Sequence, residues 1–251
     1  MLRQLASITF LLFMAVTSLI FYVGALFIWI VTLPFDKRLR WLHLYSSFWA
    51  SFYLWTNPQW EVRIEGREHI DPEETYVIVS NHQSALDILV AFRLFTHFKW
   101  VSKAEMFKVP VIGWNMYMNR YVKLHRGDPD SAQQMMDHCR QHLREGSSVW
   151  ICPEGTRSRT GELRRFKLGA FRLARQMKRP LLPIAISGTK EALPKKSMKL
   201  HGHHPITVKV LPPIPYEQFA DKAPEEIAAE VRELVAAEVA EHAAALEEAE
   251  Q

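Results

Sequence analysis

The stretch "TYVIVSNHQSALDIL", residues 75 to 89, holds most of the fold in miniature. It starts with a short β-branched apolar run, passes through a polar break at Ser80 to Ser84, and resumes with apolar residues at helical spacing. That pattern reads as strand, loop and helix, with the strand over 75–80 and the helix over 85–95. The same alternation recurs downstream. "VRIEG" (62–66) and "KWVSK" (99–103) read as strands, and "RYVKLHR" (120–126) as a shorter one. Asp130 to Glu145 has helical periodicity and stops at Gly146, "SSVWIC" (147–152) is a buried-type strand, and "KLGAFRLARQM" is a helix. "PLLPIAIS" (180–187) and "ITVKVLPPI" (206–214) complete the strand set. Strands alternating with helices predict an α/β architecture, a central sheet layered with helices.

Two features flank this body. Between Gln4 and Phe35 there is no charged residue, and "ITFLLFMAVTSLIFYVGALFIWIVTL" exceeds the ~20 residues needed to cross a bilayer core. A cleaved signal peptide has a shorter apolar region and a small-residue cleavage site, which is not evident before Asp36. After the basic patch "DKRLR" comes a second uncharged run in which Trp41, Tyr45, Phe48, Phe52 and Trp55 recur at helical spacing, with His43, Ser46, Ser47 and Ser51 toward the other side. Together these predict a membrane-embedded two-helix segment, with aromatic rings at headgroup level, the alternative for the second run being a core helix of the soluble domain. Lys37, Arg38 and Arg40 favour the cytoplasmic side, so the rest of the chain is expected at the cytoplasmic face of the cell inner membrane. At the other end, the Ala- and Glu-rich tail predicts a solvated surface helix with Ile227, Val231, Leu234 and Leu246 on one side. The expected organisation is an anchor over 1–60, a catalytic domain over 61–220 and a C-terminal helix over 221–251.

The formal charge of +4 conceals an asymmetry. The tail from Pro224 carries nine glutamates and one arginine, a net of −8, which leaves +12 on the preceding residues. A basic body favours anionic partners: a phosphate ester, an anionic membrane surface or an acidic carrier protein. No nucleic-acid motif appears. The two cysteines, Cys139 and Cys152, form neither a disulfide framework nor a metal knuckle. The histidines of "HGHHP" (201–205) have no acidic or cysteine ligand near them in sequence, so no metal is assigned.

His82 and Asp87 stand at the junction of two apolar segments. If Ser84 caps the helix, Asp87 takes the acidic place of a capping box. His82 then lies on the loop before the helix and can fold back over its first turn, so the pair can touch. A carboxylate on one imidazole nitrogen fixes the tautomer and leaves the other nitrogen as a base. With no G-x-S-x-G elbow in the chain, the nucleophile can be a hydroxyl of the substrate. A purely structural His–Asp pair fits these residues equally well. "PEGTRS" (153–158) is a turn whose Gly-opened loop can offer backbone N–H groups and the Arg157 guanidinium to a phosphate, with Arg126 and Lys103 adding charge.

Four blocks in order, "NHQSALD" (81–87), "KVPVIGWNMYMNRYVKLHR" (108–126), "CPEGTRSRTGELRRFKLGAF" (152–171) and "LPIAISGT" (182–189), resemble the motif blocks of the glycerolipid acyltransferases. Within that family the chain is most similar to the bacterial 1-acyl-glycerol-3-phosphate acyltransferases, and the resemblance runs from about Val62 to about Pro213. It implies a mixed central sheet layered with helices, of the glycerol-phosphate acyltransferase type. It implies His82 as general base and Asp87 as its orienter. Arg126, Glu154, Gly155, Thr156 and Arg157 would bind the acceptor's phosphate, and Pro183 would shape the acyl-donor site. The implied partners are a lysophospholipid acceptor and acyl-CoA or acyl carrier protein as donor, with no cofactor. Cys152 stands where the family usually has phenylalanine, and His125 where an aspartate is common. Two other readings remain at this point: a hydrolase using Ser84 or Cys152 as covalent nucleophile, and a catalytically silent protein that docks on anionic lipid.

Overall fold

The computed structural model describes residues 2–158, 162–194 and 202–249. Seven strands form one sheet: β1 (Trp60–Glu65), β2 (Val77–Ser80), β3 (Phe98–Lys103), β4 (Val122–Leu124), β5 (Ser148–Ile151), β6 (Leu181–Ser187) and β7 (His204–Val210). Their spatial order is β1-β7-β6-β2-β5-β3-β4. All neighbours run parallel except β6 and β7, so the sheet is mixed, as expected.

The eight α-helices among the described residues are α1 (Leu2–Thr32), α2 (Arg40–Trp55), α3 (Leu86–Phe92), α4 (Ile112–Met118), α5 (Pro129–Arg144), α6 (Gly169–Met177), α7 (Thr189–Ala192) and α8 (Pro224–Ala249). Because side chains alternate across a strand, β2 sends Ile78 into one core with α2, α3, Phe98 and Trp150. It sends Val77 and Val79 into a second core with α5, α6 and α8. Trp150 is fully buried. Its indole N–H donates to Ser80 Oγ at 2.8 Å, which avoids the ~1–3 kcal/mol cost of leaving a buried donor unpaired.

Helix α1 is the one candidate membrane span among the described residues, over Ser7–Thr32. Val16, Ile20, Val23 and Phe27 are each more than half exposed. Its other side meets α2, where Phe21 stacks on Trp49 with ring centroids 5.8 Å apart and Gly24 lets Tyr45 approach so closely that a Cβ would lie 2.1 Å from its hydroxyl.

Helix α2, with 16 residues, is shorter than a span, and its polarity is inverted. His43, Ser46, Ser47 and Ser51 are buried, while Trp41 and Trp55 are more than half exposed. The His43 Nε2–H donates to the Thr96 carbonyl at 2.9 Å, which can only accept; Nδ1 therefore accepts from Tyr121 Oη at 2.9 Å. So α2 exposes aromatic rings on one side and packs as a core helix of the α/β body on its serine side.

Lys99 adds a second tie between the N-terminal segment and the body. Although it is 1% exposed, its ammonium donates to the carbonyls of Arg38 (2.8 Å) and Asn119 (2.9 Å), and burial lowers its pKa to about 7.

The tail helix also departs from expectation. Ile227, Ala228, Val231 and Val235 are buried, whereas Leu234 is 48% exposed. Val235 packs with Ala185 and Leu211 at the sheet, so α8 is docked along one side rather than solvated all round.

Candidate active site

The parallel strands β2, β5, β3 and β4 deliver their carboxyl ends to one edge of the sheet, where a doubly layered α/β fold leaves its crevice. His82 follows β2, residues 152–158 follow β5, Lys103 ends β3 and Arg126 follows β4. At that edge the backbone of His82 is fixed from both sides. Its N–H donates to Glu154 Oε1 at 2.8 Å, and its carbonyl accepts from the Ser158 N–H at 2.9 Å.

The imidazole of His82 donates from Nδ1 to Asp87 Oδ2 at 2.7 Å. A carboxylate only accepts, so Nδ1 carries the proton and the Nε2 lone pair is left as the base. No hydrogen-bond partner of Nε2 occurs among the described residues. Asp87 also accepts from the N–H groups of Gln83 (2.7 Å) and Ser84 (2.9 Å) through the same oxygen. The capping role and the orienting role, which the sequence leaves as alternatives, are therefore filled by one carboxylate at once. Its second oxygen, Oδ1, accepts from Thr189 Oγ1. The Asp87 side chain is 2% exposed and that of His82 14%.

Thr189 escaped the sequence reading as a site residue, although it is the last letter of the fourth block. It is fully buried at the start of α7. Asn81 escaped too. Its amide donates to the Ile186 carbonyl (2.7 Å) and accepts from the Ile186 N–H (2.8 Å), pinning the loop after β2 to β6.

A cavity of about 950 Å³ opens over this pair. Its polar part is lined by His82, Asp87, Lys103, Arg126, Gly155 and Arg157. Its larger apolar part reaches Met14 and Ala15 of α1, Trp49 and Tyr53 of α2, and Ile88 and Phe92 of α3. A basic, hydrogen-bonding end joined to an apolar channel suits a molecule with an anionic head and a hydrocarbon chain. Gly155 takes φ +70°, a left-handed conformation that favours glycine in this loop.

Two residues assigned from the family resemblance are placed elsewhere. Glu154 is 4% exposed, and its two oxygens accept from the N–H groups of His82 and Arg164 (3.0 Å); burial pushes its pKa up. It bolts the loop after β5 to the loop after β2, and both carboxylate oxygens are engaged by backbone N–H groups. Pro183 is buried in the middle of β6, paired with Val79, and does not line the cavity. Thr156 lies between Gly155 and Arg157 on the same loop without lining the cavity itself.

The covalent-nucleophile reading finds no support in the geometry. Ser84 Oγ donates to the Leu193 carbonyl at 2.7 Å and accepts from the Leu86 N–H at 3.2 Å. Cys152 lies 3.7 Å from Ser80 Oγ, and burial pushes its thiol up to about 12, which keeps it protonated and a poor nucleophile near neutral pH. In the histidine-rich stretch, His203 meets Glu61 at 3.0 Å, and His201 lies outside the described residues.

Residues 61–187 match the family model described as Acyltransferase. The chain is 35% identical over 235 residues to the 1-acyl-sn-glycerol-3-phosphate acyltransferase of Chlamydomonas reinhardtii, covering 91% of this chain and 70% of that protein. It is 37% identical over 203 residues to a chloroplastic enzyme of the same name from Brassica napus, covering 80% of this chain but only 58% of the relative's length. The crystal structure of the 1-acyl-sn-glycerophosphate acyltransferase from Thermotoga maritima superposes with a TM-score of 0.76 at 23% identity, covering 96% of this chain and 98% of that one. At that identity the likeness speaks for the fold.

Proposed function

The chain belongs to the acyltransferase family, and from that premise we propose that it transfers a fatty acyl group from a thioester to the free hydroxyl of a lysophospholipid. The acceptor proposed is 1-acyl-glycerol 3-phosphate, giving phosphatidate. The observation that carries this reading is the His82 Nδ1–Asp87 Oδ2 contact of 2.7 Å inside a cavity that also holds Arg126 and Arg157 and continues into an apolar channel.

In this mechanism His82 Nε2 takes the hydroxyl proton as the oxygen attacks the thioester carbonyl. Asp87 steadies the imidazolium that forms. The C–O bond forms, the C–S bond breaks, and the departing thiolate takes the proton back from His82. No acyl-enzyme intervenes. Arg126 and Arg157 neutralise the acceptor's phosphate through charge-assisted hydrogen bonds, and the apolar channel takes hydrocarbon. Glu154, through the His82 N–H, acts as a positioning residue.

Exposed apolar residues along α1 and the outward aromatic face of α2 support attachment to a bilayer, where acceptor and product both reside. Lys37, Arg38 and Arg40 support a cytoplasmic-face orientation at the cell inner membrane.

The test is thiol release from acyl-CoA by purified protein in the presence of 1-acyl-glycerol 3-phosphate. His82→Ala is expected to abolish it while leaving the protein folded and membrane-bound, and a fully active variant would remove His82 from the chemistry. Replacing the acceptor with glycerol 3-phosphate or another lysolipid in the same assay decides the acceptor class.

A further inference from the structure

A second depression, of about 550 Å³, adjoins the catalytic cavity. Lys167 and Gly169 line both, so the two lie side by side with a shared wall. Around it stand Arg164, Arg165, Lys167 and Arg172, with Glu154 as the one carboxylate. That carboxylate is buried and saturated by two backbone N–H groups, so it does not offset the four cations.

Among the described residues no ion pair engages Arg164, Arg165 or Lys167. Arg172 meets Glu225 only at 3.7 Å, with both side chains more than half exposed. Clustered like charges raise the energy of the folded chain unless an anion joins them. The groove's backbone is nevertheless firmly held. Arg232 of α8 donates to the carbonyls of Leu163 (2.8 Å) and Arg164 (3.2 Å), and the Lys167 N–H donates to the Pro153 carbonyl at 2.9 Å.

The proposed reaction has two anionic reactants. Arg126 and Arg157 serve the acceptor's phosphate in the first cavity, and the apolar channel serves hydrocarbon. The donor's phosphorylated head, at the far end of the pantetheine arm from the thioester, is still without a counter-charge. An open cationic groove beside the catalytic cavity has the chemistry it requires.

Resting on the transferase reading, we propose that this groove binds the phosphate groups of the acyl donor's coenzyme A head through Arg164, Arg165 and Arg172, with Lys167 on the wall shared with the catalytic cavity.

The experiment measures CoA binding to the full-length protein in nanodiscs by calorimetry, together with kcat/KM for acyl-CoA and for the phosphate-free S-acyl-pantetheine. These are compared in the wild type, the double variant Arg164→Ser/Arg165→Ser, and Arg172→Ser. All three side chains are exposed, and circular dichroism checks that the variants fold. The expected result is a Kd for CoA weakened roughly tenfold or more in the double variant, with a smaller effect in Arg172→Ser. The wild-type Kd should weaken with salt, and the preference for acyl-CoA over S-acyl-pantetheine should collapse by a similar factor. An unchanged CoA affinity in the double variant would overturn the proposal. So would a defect confined to binding of phosphatidylglycerol vesicles, which would assign the groove to lipid headgroups. Arginine-dependent CoA binding by a protein that transfers no acyl group would leave the groove standing and remove the transferase reading instead.

Discussion

Thr189→Val is the sharpest probe of how Asp87 is held. The substitution keeps the β-branched shape of a fully buried residue and deletes only the hydroxyl that donates to Asp87 Oδ1. Asp87 Oδ2 keeps His82, Gln83 and Ser84, so the carboxylate stays in place but loses the partner that fixes its rotation. A hydrogen bond to a charged group contributes about 1.5–3 kcal/mol, and each ~1.4 kcal/mol lost from transition-state stabilisation is a factor of ten in rate. If that interaction is fully expressed when His82 becomes cationic, kcat falls roughly 10- to 150-fold. KM for the acceptor stays near wild type, because Thr189 does not line the cavity. Steady-state thiol release with saturating donor measures both constants. Thr189→Ser, which restores the hydroxyl, is expected to recover most of kcat. A role in packing alone predicts the reverse order, since serine loses the methyl group that valine keeps. Wild-type kcat in the valine variant, or a serine variant as impaired as the valine one, would refute the reasoning.

Other outcomes follow from equally local features. Gly113→Ala places a Cβ 2.2 Å from the Phe107 carbonyl oxygen and 2.5 Å from its carbon; because backbone cannot swing aside, a loss of about 2 kcal/mol or more is expected in denaturant melts. Val235→Ala should cost about 1–2 kcal/mol and Leu234→Ala less than about 0.5, the opposite of what side-chain size suggests, because only Val235 is buried. His142, lowered by burial to about 4, stays neutral at pH 5.5 while the unfolded chain binds a proton there. Its folded pKa lies below the unfolded one, so its share of stability is present above ~6.5 and is lost as pH falls toward 4. At pH 5.5 the loss is about 1.4 kcal/mol, and His142→Gln should remove that part of the decline in melting temperature.

The legible parts of the site were those whose partners are close in sequence. His82 and Asp87 share one loop and one helical turn, so capping logic and motif spacing reach them. Thr189 meets Asp87 only because β2 and β6 lie side by side, a pairing that no local pattern announces. Arg164 and Arg165 look like ordinary surface charge until α8 and the loop after β5 hold their backbone beside the cavity. Periodicity likewise located the aromatic stripe of α2 without saying that serines would face the protein. An amphipathic period defines two sides, and the surroundings decide which is inside. In α8 the expected stripe holds at Ile227 and Val231 and fails at Leu234, where the neighbouring Val235 is the residue packed with Ala185 and Leu211.

The pairing of β1 with β7 bears on how the chain is made. Trp60 and His204 are register partners about 140 positions apart, a span whose closure is slow. During synthesis β1 emerges well before β7 and has no neighbour until β7 follows. A ribosome that stops short of Val210 therefore leaves two strands incomplete, since β7 also covers β6. Such a fragment would carry raw sheet edges, a ready target for quality-control proteases.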